Sequence, residues 1–110
     1  MKKRAFGLVG EYITILIYTL KLYQILHHQK RYYVGEIDVI ALRGRQLVFI
    51  EVKSRRSTEK DVVSINQQMR IKKSAAAFLS FNPKYQNYNI RFDLVIIRPY
   101  ALPTIIENAW

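Results

Sequence analysis

Two carboxylates and a lysine lie at spacings that suit metal-dependent hydrolysis. Asp38 lies in the strand-like run 36–42, and Glu51 and Lys53 lie in the strand-like run 46–53. Because side chains alternate between the two faces of a strand, Glu51 and Lys53 share one face. These three residues are therefore the first candidates for a chemical site.

The register between the two runs determines whether the carboxylates face each other. Residues 43–45, with the sequence Arg-Gly-Arg, separate the runs, and so short a break with a glycine predicts a β-hairpin. A two-residue turn places Asp38 opposite Glu51 with Cβ atoms about 4.5–5.5 Å apart, and it places Glu36 opposite Lys53. A three-residue turn shifts this register, although the shared face survives.

Two facing carboxylates repel each other unless a cation lies between them, and Mg²⁺ is commonly held by one or two carboxylates, waters and phosphate oxygens. Lys53 beside that ion could orient an attacking water or offset charge on a phosphate. The alternative is an ordinary solvent-facing hairpin, with Glu36 and Lys53 forming an ion pair worth under about 1 kcal/mol. The chain has eight acidic residues, and four of them lie at the start of the first predicted helix or on this hairpin: Glu11, Glu36, Asp38 and Glu51. This clustering favours the cation.

Composition predicts one basic domain over residues 1–110. Half of the residues are hydrophobic, which excludes a polar disordered chain. Eighteen lysines and arginines against eight acidic residues give a net charge of +10, which favours a polyanionic partner such as nucleic acid. The absence of cysteine excludes disulfides, thiolate metal sites and cysteine nucleophiles. The apolar run 12–20 is about half as long as a spanning helix, so we expect a cytoplasmic protein with no membrane partner.

The remaining pattern predicts the elements that position the candidate site. Helices are predicted from Gly7 to about His27 and from Val62 to Phe81, with a connector at 27–33 and a charged loop at 54–61 between them and the hairpin. Further strands are predicted at 90–97 and 104–106. The order helix, hairpin, helix, strand predicts an α/β domain with a mixed central sheet flanked by helices. The apolar stripe of the first helix is expected to consist of Leu8, Ile15, Tyr18, Leu22 and Ile25.

The ordered motifs resemble the core of the PD-(D/E)XK nucleases, in which a helix glutamate, an aspartate and an E-x-K triplet surround magnesium. More narrowly, the chain resembles the YraN-like family of uncharacterised, endonuclease-like bacterial proteins. The matching segments span nearly the whole chain: residues 7–11, 23–26, Arg31 with 35–38, 48–53 with Arg55 or Arg56, Arg70 with Ala75, 91–93 and 108–110. The resemblance implies a restriction-endonuclease-like fold.

The resemblance also implies roles for single residues. Asp38 and Glu51 correspond to the metal ligands, Lys53 to the catalytic lysine, and Glu11 to the helix carboxylate that completes or supports the metal site. Glu36 matches the glycine–glutamate motif, and both metal ligation and ion pairing are open for it. The implied cofactor is Mg²⁺, with Mn²⁺ as a substitute, and the implied partner is DNA, although RNA is not excluded.

Basic residues around this centre could form a nucleic-acid surface. Residues 30–33 interleave a lysine and an arginine with two tyrosines, which suits phosphate contact and base stacking, although the tyrosines could equally pack on the edge of the sheet. Contacts to phosphates position a substrate without reading its sequence. The predicted nucleic-acid-binding residues are Lys30, Arg31, Arg55, Arg56, Gln68 and Arg70.

Three residues depart from the pattern of the family. Leu22 replaces an expected glycine, Gln29 an expected asparagine, and Gln67 an expected basic residue in the second helix. None of them removes a predicted ligand, so they bear on substrate handling more than on metal binding. Asp93, beside Arg91, is expected to form a structural ion pair rather than to join the site.

Three functions remain open on the sequence. The first is a magnesium-dependent DNA endonuclease, with a branched or structured substrate by analogy. The second is a non-catalytic nucleic-acid-binding module, or a subunit of a DNA repair or recombination assembly. The third is a protein–protein adaptor whose charge is incidental. A homodimer is a further option, because the run 12–20 has spare apolar surface.

Overall fold

The computed structural model describes residues 3–56 and 63–110, and a mixed five-stranded sheet lies at its centre. The elements in chain order are α1 (Lys3–Leu20), β1 (Gln24–Tyr32), β2 (Gly35–Arg43), β3 (Gln46–Ser54), α2 (Ile65–Phe81), a short 3₁₀ helix (Pro83–Tyr85), β4 (Asn89–Ile97) and β5 (Thr104–Ile106). The strand order is β1-β2-β3-β4-β5. Only β3 and β4 run parallel among these described strands. This architecture confirms the predicted α/β class and is consistent with a restriction-endonuclease-like fold.

The first helix is shorter than predicted, and an unpredicted strand follows it. The helix α1 ends at Leu20, and Leu22 has a φ of 71°, a left-handed conformation that stops a helix. Residues 24–32, predicted as the end of the helix and a connector, form β1 instead. Apolar spacing alone extends the helical pattern to Ile25, but pairing with β2 decides the conformation of this segment.

The buried stripe of α1 also differs from the prediction. The helix buries Phe6, Gly10, Thr14 and Tyr18, which follow one another at intervals of four. Of the predicted stripe, only Tyr18 is fully buried, and Leu22 is 82% exposed. A side chain at position 10 would collide with Ser54, so glycine allows α1 to approach the sheet closely.

The two helices cover opposite faces of the sheet. Alternate residues of β2 and β3 point to different faces, so Val39 and Ile50 join the core beneath α1, whereas Ile40 and Phe49 join the core beneath α2. Ser64 caps α2, which ends at Phe81 as predicted. Val62 and most of the predicted loop 54–61 lie outside the described residues. Neither of the helices in the described ranges is long and apolar enough to span a membrane.

Candidate active site

The hairpin between β2 and β3 has the register that the sequence predicts for a two-residue turn. Arg43 pairs with Gln46, and Gly44 has a φ of 60°, which suits the first position of such a turn. The ladder continues to the pair Val39 and Ile50, one position before the two carboxylates.

Beyond the pair Val39 and Ile50, a side chain accepts the next hydrogen bond between the two strands in place of a backbone carbonyl. The Val52 backbone N–H donates to Asp38 Oδ2 at 2.8 Å. This contact holds the Asp38 carboxyl group between the two strands, beside Glu51, because the two side chains share the α2 face of the sheet. The sequence therefore predicted correctly that these two carboxylates come together.

A cavity of about 280 Å³ opens in front of the carboxylates. Its lining comes from β2, β3 and α2: Gly35, Glu36, Asp38, Glu51, Gln67, Arg70 and Ile71. At Gly35, φ is 156°, and a Cβ atom would lie 3.1 Å from the buried Ser74 hydroxyl. This close approach of β2 to α2 favours glycine at the wall of the cavity.

The environment of Asp38 disfavours its charged form. Burial raises the pKa of Asp38 far above its usual range, and the charge of Glu51 and a hydrogen bond to Glu51 raise it further. The Val52 N–H opposes this shift, and the charge of Glu11 adds to it. Asp38 therefore holds a proton more readily than an ordinary aspartate does, and a cation beside it would favour its charged form.

This donor set fits a hard divalent ion. Within residues 3–56 and 63–110, no three histidine, aspartate or glutamate side chains lie close enough together to hold a metal ion by themselves. Two carboxylates that open into a cavity match Mg²⁺, because this ion usually keeps several waters and accepts phosphate oxygens from its substrate. A closed structural metal site would require more protein ligands.

Lys53 lies on the same side of the sheet as Glu51 and is 8% exposed. Its Nζ donates to Gln67 Oε1 at 3.1 Å. The Glu36–Lys53 ion pair of the alternative interpretation does not form, because Glu36 pairs with Arg31 at 2.9 Å. Gln67, which replaces an expected basic residue, thus supplies an acceptor that orients the lysine.

Glu11 lies close to the site but does not line the cavity. His28 Nε2 lies 2.7 Å from Glu11 Oε1, and the Gln29 side chain donates to the same oxygen at 3.0 Å. His28 and its neighbour His27 belong to a strand and not to a helix, and the ring of His27 packs against Phe78. Glu11 is therefore a positioned carboxylate whose charge acts on Asp38 from the α1 side.

The predicted nucleic-acid-binding residues divide into two groups. Arg70 lines the cavity, and Arg31 extends from its edge with 81% of its side chain exposed. Lys30 lies over the ring of Tyr32. The other residues make contacts elsewhere: Arg55 with the Ser54 carbonyl, Arg56 with the ring of Phe6, and Gln68 with the Val63 carbonyl.

Sequence reasoning missed part of the cavity wall on α2. Gln67, Arg70 and Ile71 lie three and four positions apart, so they share one face of the helix. That spacing is visible in the sequence and could have grouped Gln67 with Arg70. The hydrogen bond from Lys53 to Gln67 could not have been read from spacing, since it joins two distant elements.

A second buried aspartate lies on the α1 face of the sheet. Asp93 accepts hydrogen bonds from Tyr18 at 2.7 Å and from Arg91 at 2.8 and 2.9 Å. The Asn108 backbone N–H donates to it at 3.1 Å, and Arg91 also donates to the Tyr23 hydroxyl. The prediction that Asp93 forms a structural ion pair is confirmed.

The comparisons with known proteins agree on one family. A model described as the uncharacterised protein family UPF0102 matches residues 10–97, a range that contains every residue of the cavity. A UPF0102 protein of Ehrlichia ruminantium is 44% identical over 104 residues, which cover 94% of this chain and 82% of that protein. A UPF0102 protein of Paramagnetospirillum magneticum is 41% identical over 78 residues, 69% of this chain and 60% of that protein. One of Mesorhizobium japonicum is 39% identical over 103 residues, 92% of this chain and 82% of that protein.

Proposed function

The chain belongs to the uncharacterised protein family UPF0102, and we propose that it is a magnesium-dependent endonuclease that hydrolyses phosphodiester bonds in DNA. The membership confirms the YraN-like family indicated by the motifs. The pair Asp38 and Glu51 carries the proposal, because these two carboxyl groups lie together at one cavity and the charge of Glu51 adds to the burial that raises the pKa of Asp38, an opposition that a cation between them would relieve.

Asp38 and Glu51 are the residues that would hold Mg²⁺, or Mn²⁺ in its place. The ion supplies an activated water and stabilises negative charge on the phosphate. Glu11, fixed by His28 and Gln29, adds negative charge behind this pair and strengthens its attraction for a cation.

Lys53 acts on the phosphate or on the attacking water. Gln67, which lines the cavity, accepts a hydrogen bond from its ammonium group, so little reorganisation is needed when charge develops on the phosphate oxygens. Arg31 and Arg70 contact neighbouring phosphates, which positions the strand without selecting a base sequence. The excess of positive charge attracts DNA from a distance, and the proposed location is the cytoplasm.

A non-catalytic nucleic-acid-binding module, as a subunit of a DNA repair or recombination assembly, is the second candidate. Glu11 contacts His28 and Gln29 and does not line the cavity, and this placement favours the non-catalytic module. A module of this kind needs the basic surface but not a complete set of metal ligands.

A second copy of the chain is a further proposed partner. The outer side of α1 exposes Val9, Tyr12, Leu16 and Leu20, and residues 9–20 contain no lysine or arginine although the chain has a net charge of +10. Sedimentation should show a dimer that Leu16→Lys dissociates. A monomer at every concentration contradicts this proposal.

The nuclease proposal is tested by cleavage of duplex, single-stranded, flap and four-way-junction DNA in Mg²⁺ or Mn²⁺. We expect Lys53→Ala and Asp38→Asn to lower the rate by about 100-fold or more, because each removes charge stabilisation at the reacting phosphate. Lys84→Ala is the matched control, since Lys84 is exposed and lies outside the cavity lining.

Metal binding gives a second readout. Mg²⁺ should raise the melting temperature of the wild type but not of Asp38→Asn, because a ligand that binds only the native state stabilises it. Binding of DNA without cleavage under any metal, unchanged in Lys53→Ala, would select the non-catalytic module.

A further inference from the structure

We infer that Tyr33 stacks on an unpaired base of a strand bound in the cavity, so that the substrates are strands with unpaired nucleotides, such as flaps, junctions or single strands. The inference rests on the proposed phosphodiester chemistry and specifies its substrate class. It begins from the position of one side chain at the mouth of the cavity.

Tyr33 lies in the turn between β1 and β2 and is 105% exposed. Gly35 and Glu36, which line the cavity, follow two and three residues later. Because the chain spans at most about 3.6 Å per residue, the Cα atom of Tyr33 lies within roughly 7 Å of the Cα atom of Gly35. A base attached to a phosphate bound at this end of the cavity can therefore reach the ring of Tyr33.

The neighbouring tyrosine shows what packing on the sheet looks like in this segment. The ring of Tyr32 stacks on Phe81 with centroids 6.0 Å apart and an angle of 7° between the planes, and its hydroxyl group is buried. Tyr33 points away from that contact into solvent. Of the two interpretations of residues 30–33, packing therefore applies to Tyr32, and the exposed ring of Tyr33 is available to a ligand.

Exposure by itself does not identify a binding residue, since Tyr100 is 108% exposed and no cavity residue lies near it in the sequence, whereas Gly35 follows Tyr33 by two positions. The surrounding charge distinguishes Tyr33. Arg31, two residues before it, is held at the cavity edge by Glu36 at 2.9 Å, and Arg70 faces the cavity from α2. An aromatic ring accompanied by cationic side chains is the arrangement by which proteins bind single strands, with phosphates on the cations and a base on the ring.

The same arrangement discriminates against continuous duplex. Inside a duplex both faces of each base are covered by neighbouring bases, so a protein ring can stack only on an end, an unpaired base or a base that has left the stack. A strand with an unpaired nucleotide can place its phosphates along the cavity and an unpaired base on Tyr33. Duplex DNA can use the phosphate contacts alone.

The test uses two DNAs of equal length and sequence that carry the fluorescent base 2-aminopurine, unpaired at the base of a flap in one and paired within a continuous duplex in the other. Binding is measured in EDTA at low salt, so the readout does not depend on cleavage. We expect the wild type to prefer the flap and to quench its fluorescence. Tyr33→Ala should weaken flap binding by about 5- to 100-fold, leave duplex binding almost unchanged and abolish the quenching, because one base–aromatic stack is lost.

Two variants complete the experiment. Tyr33→Phe should retain both the preference and the quenching, since the ring remains, and Tyr100→Ala should behave as the wild type. Equal affinity of the wild type for flap and duplex, or an equal loss on both DNAs in Tyr33→Ala, overturns the inference. Failure of the proposed function has a different signature: the flap preference persists, but no metal supports cleavage by the wild type. If the wild type binds neither DNA, both proposals fail.

Discussion

Each face of the sheet carries an aspartate, half-buried at Asp38 and fully buried at Asp93, and the two aspartates have opposite surroundings. Asp93, beneath α1, is 0% exposed and accepts hydrogen bonds from Tyr18, Arg91 and the Asn108 backbone. Asp38, on the α2 face, lies against a second carboxyl group and accepts a hydrogen bond from the backbone of Val52. Three donors therefore stabilise the charge of Asp93, whereas the neighbouring charge of Glu51 disfavours the charge of Asp38.

This difference separates a carboxylate that supports the fold from one that serves a function. A buried charge with a full set of donors is tolerated by the fold and ties together the elements that supply them. A buried carboxyl group beside another one costs folding free energy, and such a perturbed group in a cavity is typical of a binding or catalytic site. Substitutions in the two regions should therefore change stability in opposite directions.

The largest expected effect is on the compensated aspartate. Asp93→Asn should lower the free energy of unfolding by about 3–5 kcal/mol, because the largely buried Arg91 guanidinium group would lose its buried charge partner and keep only the exposed Glu107. Urea denaturation measures this loss. Glu107→Gln is the control: Glu107 also pairs with Arg91, at 3.3 Å, but its side chain is 56% exposed, so less than about 1 kcal/mol should be lost. A similar loss in both variants would contradict the comparison.

The opposite change is expected at Asp38. Because the pKa of Asp38 is raised in the folded state, the native protein binds more protons than the unfolded chain at pH values between the two pKa values. The free energy of unfolding of the wild type in EDTA should therefore fall as the pH rises above about 4, the ordinary pKa of aspartate. Asp38→Asn should flatten this dependence and add about 1–3 kcal/mol near pH 7.

Denaturation of both proteins at a series of pH values checks this prediction. Asparagine keeps an acceptor for the Val52 N–H, so the comparison isolates the charge. Wild-type stability that is flat or rises from pH 4 to pH 8, relative to Asp38→Asn, would show that the two carboxyl groups do not oppose each other.

Two buried tyrosine hydroxyl groups extend the comparison to smaller expected effects. The Tyr18 hydroxyl donates to Asp93, and burial together with this hydrogen bond raises the pKa of Tyr18. The Tyr32 hydroxyl is buried and has no hydrogen-bond partner among the residues that the structure describes. Tyr18→Phe should cost about 1–2 kcal/mol, because it leaves Asp93 short of a donor. Tyr32→Phe should be neutral or slightly stabilising. Thermal unfolding of the two variants measures the difference, and equal effects would contradict the assigned role of Tyr18.

The parts of the molecule that follow local rules were predictable from the sequence. Alternation along β2 and β3 and a glycine in the turn were sufficient to place Asp38 beside Glu51. The strand β1 was missed because its conformation depends on pairing with β2, and the apolar spacing before Ile25 still fits a helix. The partners of Glu11 and Lys53 were missed because they come from elements separated in sequence, β1 and α2.

The smallest expected effects concern two departures from the family pattern, one in each region. Leu22, where glycine is expected, and Gln29, where asparagine is expected, have φ values of 71° and 57°, so both occupy the left-handed region that those expected residues adopt at lower cost. Leu22 follows α1, close to the network around Asp93. Leu22→Gly should therefore stabilise the protein by about 0.5–1 kcal/mol, after the extra unfolded-state entropy of glycine is subtracted, and it should leave cleavage unchanged.

Gln29 contacts Glu11, whose charge acts on Asp38, and there the same relief of backbone strain has a functional cost. Gln29→Asn should stabilise the backbone by a few tenths of a kcal/mol, but the shorter amide loses its 3.0 Å contact with Glu11 and leaves that carboxylate held by His28 alone. We expect a several-fold weaker affinity for Mg²⁺, measured as a smaller rise in melting temperature at a given concentration of the ion. Unchanged affinity would mean that Glu11 contributes nothing to cation binding, and the candidate site would then consist of Asp38 and Glu51 with Lys53.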